Sequence, residues 1–481
     1  MKYDVILLTH LSVAPFAKTI GPYRIADSLR RNGFSVQVIP MVNSFSNNEL
    51  LETIELFIGD NTKIIGVSTT FFQHVDVTQM HTTFSEGTPA SLKEVLKQIK
   101  SLHPKIQFIS GGAHSHQEIG DPIFDAVFHG YSDNSVIEYA LSLVGKKKPI
   151  WNTSLGTKII EGEHYPVDIE HLKHQWEDND VIFPGETLPI EISRGCIFKC
   201  KFCNFQLTGK KKLDYIRDYE FLREEFIRNY EKFGVTNYTF CDDTFNDSTE
   251  KLEKIHRVIT SLPFKVNFIT YLRLDLLHAH RDQITLLKEM GLRSGFFGVE
   301  SLNLESAKAV GKGFHSEKIK EFLIELKESH FNPDNGSNFI CSFIVGLPHE
   351  TIDSCRKSFE WCQEYDFNTI WSPLFIRTKM RYQSDIDKNY EKYGYRLDRG
   401  NDSSWTNDWT NFDDASNIAK EFNTERSNTA HSWPLMDCAA MGLGSWKELL
   451  NTRLIDLIHN PDVHVKIQNK ILEYKKQLRN C

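Results

Sequence analysis

Twice along this chain, short apolar runs alternate with amphipathic stretches of helical period, and that rhythm leaves few folds open. In residues 1–145 the runs DVILL (4–8), SVQVI (35–39), KIIGVST (63–69), IQFIS (106–110) and DAVFH (125–129) read as buried strands. Between them PYRIADSLRRNG (22–33), closed by Gly33, NELLETIELFIG (48–59) and SLKEVLKQIKSL (91–102) read as helices. Such alternation predicts a parallel, doubly wound sheet, whose ligands sit beyond the carboxyl ends of its strands. Those ends hold Thr9-His10, Ser68-Thr69-Thr70 and Gly111-Gly112.

Residues 146–186 open on Lys146-Lys147-Lys148, lose the alternation and read as a connecting segment. The rhythm restarts at LPIEIS (188–193) and continues through VTNYTFC (235–241), VNFITYL (266–272), SGFFGVE (294–300), FICSFIVG (339–346) and NTIWSPLF (368–375). Helical stretches at 214–233, 249–262, 281–290, 316–328 and 351–363 separate them, the second opening on a capping pair, Asp247 and Glu250. Six strands with intervening helices predict an α/β partial barrel over 187–378, again with its chemistry at the carboxyl ends. Beyond 378 the pattern breaks up: 401–414 is polar with aromatics and 445–478 looks helical. Residues 379–481 are read together as a small, mostly helical substrate or lid region.

With 481 residues, 40% hydrophobic and 25% charged, the chain is long enough for two or three domains with proper cores. A formal charge of −8 argues against an overall electrostatic grip on nucleic acid. No stretch approaches the ~18 apolar residues of a membrane span, and MKYDVILLTHL at the N-terminus lacks the cleavage site of a secretory signal. Nine cysteines over this length are too sparse for a disulfide framework, which points to a reducing, cytoplasmic setting without disulfides.

Three of those cysteines, Cys196, Cys200 and Cys203, are packed into ISRGCIFKCKFCNF (192–205), and none precedes them. The plain reading is structural zinc, but such sites want four closed ligands and the next histidine is His256. Three thiolates holding an iron–sulfur cluster instead leave one iron open to a substrate or cofactor. A strand, then Gly195 to turn the backbone, then thiolates above a barrel mouth fits the second reading.

At these residues the chain resembles the radical S-adenosylmethionine (radical SAM) enzymes, which carry C-x3-C-x-aromatic-C on a partial (β/α)6 TIM-type barrel. The likeness covers 185–375, through CDDTFN (241–246), TYLRLDLL (270–277), GVES (298–301), Lys312-Gly313 and IVGLPHET (344–351). It implies that Cys196, Cys200 and Cys203 hold a 4Fe–4S cluster whose fourth iron is chelated by SAM. Reductive cleavage of SAM then gives a 5′-deoxyadenosyl radical that abstracts hydrogen from substrate. By the same resemblance Phe202 lies near the adenine, and Asp242 and Asp243 accept from the cofactor's ammonium or hold nearby groups. Arg273 pairs with its carboxylate, Glu300 binds ribose hydroxyls or the amine, and Gly346 lets the backbone approach the adenine. Each has a plainer alternative: the Asp pair as a helix cap, Arg273 on the surface, Pro348 as a turn former. The resemblance also implies an electron donor such as flavodoxin or ferredoxin, and it singles out no catalytic side chain.

Residues 1–145 resemble the Rossmann-like cobalamin-binding domain found in front of such barrels, a class B-type architecture. Cobalamin domains that replace the metal's lower ligand use a D-x-H-x-x-G loop after the first strand. Here Thr9-His10-Leu11-Ser12-Val13-Ala14 lacks the Asp and the Gly, so His10 has no carboxylate to orient it. Ser68, Gly111 and Gly112 are small residues suited to admitting a nucleotide tail. Two enzymatic readings stay open: cobalamin-dependent methylation, or a cobalamin-independent isomerisation or cyclisation with the N-terminal domain as scaffold. Sulfur insertion needs a second cluster from N-terminal cysteines, of which there are none. A non-catalytic iron–sulfur binding protein would not need Arg273, Glu300 and the IVGLP strand.

The substrate, a small or nucleotide-like molecule, stays unidentified. Lys210-Lys211-Lys212 suit either a phosphate-bearing ligand or a solvated face. Trp405, Trp409, Trp433 and Trp446 suit either a lid or a small core. Of Cys341, Cys355, Cys362, Cys438 and Cys481, most read as buried small hydrophobes rather than a second cluster.

Overall fold

The central strands of the first sheet are largely apolar and buried, as strands covered on both faces require. In chain order the sheet begins with β1 (Val5–Thr9), β2 (Val36–Ile39) and β3 (Ile64–Ser68), after which β4 (Gln73–Asp76) and β5 (His81–Phe84) form a separate antiparallel pair. The sheet continues with β6 (Gln107–Gly111), β7 (Ala126–His129), β8 (Asn152–Ser154) and β9 (Thr157–Glu161), in the order β2-β1-β3-β6-β7-β9-β8. All its pairs are parallel except β8 with β9. Strand order reverses between β1 and β3, the position at which doubly wound sheets take ligands. There the register sets Thr9 beside Ser68 and Ser68 beside Gly111.

In the computed structural model the described residues are all except 1, 10–17, 70–72, 77–80, 85–86, 113, 148–150, 163–168, 206–212, 214, 313–315, 379–382, 398–403, 427–445 and 451–459. His10, Lys210-Lys211-Lys212, Gly313, Trp433 and Cys438 therefore lie outside the described residues.

The hairpin β8–β9 corrects the reading of 146–186 as connection only. Its turn is Leu155-Gly156, both at positive φ (49° and 84°), which is the backbone a two-residue hairpin needs. Leucine is a poor marker of that conformation, so the turn was hidden.

The chain divides into two units, one of residues 1–167, 173–189 and 461–481, the other of 168–172 and 190–460. The last helix, Pro461–Arg479, thus belongs with the first sheet and not with the preceding C-terminal residues. It buries Tyr474 and Leu478, and Lys475 pairs with Glu49 at 3.1 Å. The stretch 173–189 is fastened to the same unit by Arg30 on Asp180 and by the buried pair Lys18–Glu186.

The second sheet runs in sequence order, β10 (Thr187–Ile190), β11 (Asn237–Phe240), β12 (Asn267–Leu272), β13 (Leu292–Glu300), β14 (Asn338–Val345) and β15 (Thr369–Pro373). The pairs from β11 to β15 are parallel. Both edge strands carry a proline, Pro189 and Pro373, and a residue that cannot donate to a ladder belongs at an edge. At the N-terminal ends of the strands a polar ladder links Arg293 Nε to Asn267 Oδ1 (2.8 Å) and Asn267 Nδ2 to Asn237 Oδ1 (2.9 Å).

Of the region read as a lid, the helix Phe412–Arg426 lies along β15. Asn423 accepts from the Trp371 amide (2.9 Å) and donates to its carbonyl (2.8 Å), so a side chain takes the place of a neighbouring strand. Phe422 stacks on Phe359 with centroids 4.1 Å apart. A short antiparallel pair, β16 (Arg396–Leu397) and β17 (Trp405–Thr406), precedes it. Among the described residues no helix is long and apolar enough to cross a membrane.

Candidate functional site

The cysteine segment leaves β10 and turns at Gly195, whose φ of 90° is available to glycine at no steric cost. Both members of the Asp242-Asp243 pair, just beyond β11, point at the backbone of that segment. Asp242 Oδ1 accepts from the amides of Ile192 (3.0 Å) and Ser193 (3.1 Å), and its Oδ2 accepts from the Ser193 hydroxyl (2.6 Å). Asp243 Oδ2 accepts from the Gly195 amide at 2.9 Å. Burial pushes the Asp243 carboxyl up to about 7, against the Gly195 hydrogen bond and with the help of nearby Asp242.

Asp242 is wholly buried and is neutralised by Lys251 Nζ at 2.9 Å. Lys251 also reaches Asp247 (3.3 Å) and donates to the Ser193 hydroxyl (2.8 Å) and the Thr244 carbonyl (3.2 Å). Asp247 accepts from the Tyr215 hydroxyl at 2.6 Å. The helix that follows is capped by Ser248, whose hydroxyl accepts from the Lys251 amide, so the expected cap at Asp247 is displaced by one residue. The carboxylate at 247 is taken by the buried lysine instead.

On the loop, Cys196 and Cys200 are buried and Cys203 is half-buried, and none is in a disulfide. The Cys196 thiol lies 3.3 Å from the Thr244 hydroxyl. Burial pushes the Cys203 thiol up to about 12, partly offset by the Phe205 amide. The loop is further held where Lys201 donates its amide to the Val310 carbonyl and accepts from the Ile386 amide, both at 2.9 Å. Its Nζ pairs with Asp385 at 3.0 Å.

Arg273 follows β12 and is buried. Asn246 grips its backbone on both sides, accepting from its amide (2.7 Å) and donating to its carbonyl (3.0 Å). The guanidinium forks onto Asp275 (3.0 and 2.7 Å), and Nη1 donates to Cys200 Sγ at 3.3 Å. Burial opposes the charge of Asp275, yet Arg273 holds its carboxyl below the usual range.

Glu300 ends β13 at φ 67°, a strained backbone for that residue, with its carboxylate 3.3 Å from Lys312 Nζ. Lys312 also donates to the Gly298 carbonyl at 2.8 Å, and a Cβ at Gly298 would overlap the Glu300 carboxylate. Next to it, Ser301 donates to the buried Glu350 at 2.6 Å, joining the GVES and IVGLPHET segments. Burial raises the Glu350 carboxyl to about 8, against hydrogen bonds from Ser301 and Cys355.

Gly346 has φ 95°, and the group that approaches it is the chain's own Trp405 ring, which a Cβ there would overlap. Its carbonyl accepts from the Tyr395 hydroxyl at 2.8 Å. Phe202 is half-buried on the cysteine loop. In the first unit Ser68 and both glycines are half-buried; the Thr69 amide donates to Gly111 (2.8 Å) and Gly112 has φ 107°. Cys341, Cys355 and Cys362 are buried and Cys481 is half-buried.

Sequence reading thus missed Thr244, Asn246, Lys251, Asp275, Ser301 and Glu350. Thr244 and Asn246 stand inside CDDTFN, Asp275 inside TYLRLDLL, so their signal was position within motifs already singled out. Lys251 gave none, being one more lysine on an amphipathic helix.

Does this donor set suit a cluster? Among the described residues no three His, Cys, Asp or Glu side chains converge as a single metal ion requires. Three thiols on one loop, none of them in a disulfide, are compatible with a polynuclear iron–sulfur group. A guanidinium and a hydroxyl facing two of the sulfurs suit thiolates.

Residues 190–362 match the model of the Radical SAM superfamily, and this part of the chain is a radical SAM domain. Among curated proteins, an uncharacterised methyltransferase, PH0819 of Pyrococcus horikoshii, is 24% identical over 176 residues, 37% of this chain. The match spans only 36% of that relative's length. Among solved structures, the radical SAM methyltransferase TsrM from Kitasatospora setae, with cobalamin and a [4Fe-4S] cluster bound, superposes with a TM-score of 0.62 at 15% identity, covering 83% of this chain and 80% of that one. The cobalamin-dependent radical SAM enzyme OxsB, with aqua-cobalamin bound, gives 0.54 at 16% identity over 81% and 56%. These likenesses establish the α/β fold with its two parallel sheets.

Proposed function

We propose that this chain is a radical SAM enzyme whose 4Fe–4S cluster is held by Cys196, Cys200 and Cys203, and that its reaction is a cobalamin-dependent methyl transfer. The observation that carries the reading is the cysteine segment: three thiols on one loop, its backbone fixed by both carboxylates of an adjacent Asp pair beside parallel strands. When bound, the cluster and SAM supply a 5′-deoxyadenosyl radical, and cobalamin supplies a methyl carrier.

The chain's own residues bind and orient. Asp242 and Asp243 keep the cysteine segment in place, and Asp243, with a carboxyl near neutrality, also offers a hydrogen-bonding group to a ligand. Glu300 and Lys312 form the polar pair for the amine or ribose of SAM. Phe202 is the aromatic proposed for the adenine, and Gly346, covered by Trp405, supports that edge from behind. Arg273 keeps a place near the SAM carboxylate through donors left over from Asp275 and Cys200. For cobalamin the proposed residues are Ser68, at the end of β3 beside the switch point, and Gly111 and Gly112, at the end of the adjoining β6. Support comes from the fold shared with two solved enzymes that bind cobalamin, over more than four-fifths of the chain. A flavodoxin or ferredoxin is the proposed electron donor.

Anaerobic reconstitution with iron, sulfide and hydroxocobalamin, followed by desalting, tests the reading. Cobalamin bands retained beside cluster absorption, with methionine and 5′-deoxyadenosine formed on reduction with SAM, are expected. A cluster without retained cobalamin would leave isomerisation or cyclisation as the reaction class. Absence of both cluster and SAM cleavage would overturn the proposal.

A further inference from the structure

Arg273 touches the cysteine loop twice. Its Nη1 donates to Cys200 Sγ at 3.3 Å, and its guanidinium carbon lies 3.9 Å from the centroid of the Phe198 ring, two residues before that cysteine. Every other freedom of the side chain is removed: Asn246 fixes the backbone from both sides and Asp275 takes two parallel N–H bonds. A planar, permanently charged fork is thereby aimed at one sulfur of the three. A hydrogen bond and a positive charge at a ligand sulfur stabilise the extra electron of a reduced iron–sulfur cluster and raise its potential.

We propose that Arg273 is a positioning residue, holding the Phe198–Cys200 turn of the loop, and that its hydrogen bond to Cys200 raises the reduction potential of the cluster. The proposal rests on Cys196, Cys200 and Cys203 being the cluster ligands. The step concerned is a one-electron reduction, the electron coming from the external donor and no bond being made or broken in the protein.

The experiment compares wild type with Arg273→Met and Arg273→Lys, each reconstituted anaerobically. Iron and sulfide per chain, the midpoint potential and the deuterium sensitivity of the Fe–S(Cys) resonance Raman bands are measured. Arg273→Met is expected to shift the reduced-to-oxidised ratio at a fixed potential at least tenfold toward oxidised, about 59 mV for a one-electron couple. Its Raman bands should respond less to deuterium, because the Cys200 donor is gone. Lysine keeps the charge but cannot serve Asp275 and Cys200 together, so Arg273→Lys should shift less and in the same direction. A Met variant with full cluster content and wild-type potential would overturn the proposal while leaving the ligand assignment standing. If Met abolishes cluster binding, the Lys variant decides, and an unchanged potential and Raman response there would equally overturn it. A wild-type chain that assembles no cluster would overturn the ligand assignment and this proposal with it.

Discussion

Lys251 Nζ stands 2.9 Å from Asp242 Oδ2, and neither side chain has any exposed surface. One buried cation serves two buried carboxylates, since Asp247 is 3.3 Å away on the other side. Burial works against the Lys251 charge, and the two carboxylates more than compensate it, so its ammonium is held above its usual range. This cluster lies directly behind the backbone that leads to the cysteines.

Replacing Lys251 with methionine keeps the volume but leaves Asp242 and Asp247 unpaired in the interior. A loss of about 3–5 kcal/mol of stability is expected. Urea denaturation of Lys251→Met against wild type measures it.

Asp243 offers a milder lesion in the same place. Asp243→Ala removes only the acceptor for the Gly195 amide, so about 1–3 kcal/mol is expected to be lost. The cysteine turn should loosen more than the fold. Iron per chain after reconstitution is expected to fall below half the wild-type content while the thermal transition stays cooperative.

Glu350 should give stability a pH dependence. Its carboxyl titrates at about 8 in the folded chain, against 4.5 for an unperturbed glutamate. A raised folded value means that the native state holds the proton longer than the unfolded one. The stabilisation is complete below about 4.5 and is lost as pH rises toward about 8. Glu350→Gln keeps the acceptor for Ser301 but has no proton to lose. Relative to wild type, the variant should therefore gain stability between pH 6 and pH 8.5, at up to roughly 1.4 kcal/mol for each pH unit within the titration window. Urea melts at both pH values check the sign.

Gly346→Ala combines two penalties: a φ of 95° and a Cβ that overlaps Trp405. About 2–4 kcal/mol of destabilisation is expected, from the unfavourable backbone and from overpacking. The affected indole is buried, so a red shift of tryptophan emission should accompany the loss.

Much of this architecture was legible. The eleven strands anticipated from apolar runs are all present, because parallel strands buried on both faces must be apolar regardless of what packs on them. The cysteine triple was legible for a similar reason: three thiols so closely spaced share one loop in any fold. Less was legible where polarity was local. Asn152–Ser154 gave no strand signal, and Phe412–Arg426 gave no hint that Asn423 would stand in for a strand beside β15.

By itself, then, the sequence determined the periodicities, the order of the elements and the donor atoms available on the loop. Tertiary structure decided which way those atoms face. Asp242 turns to a lysine nine residues on and Asp243 to the amide of Gly195, although the two are adjacent and chemically identical. Successive residues leaving a strand point to opposite sides, and what waits on each side comes from other parts of the chain. The same holds for Arg273, aimed at a sulfur 73 positions away, and for Pro461–Arg479, which covers the first sheet's unit. An amphipathic helix encodes that it must be covered, whereas the surface that covers it is chosen by the packing of the whole chain.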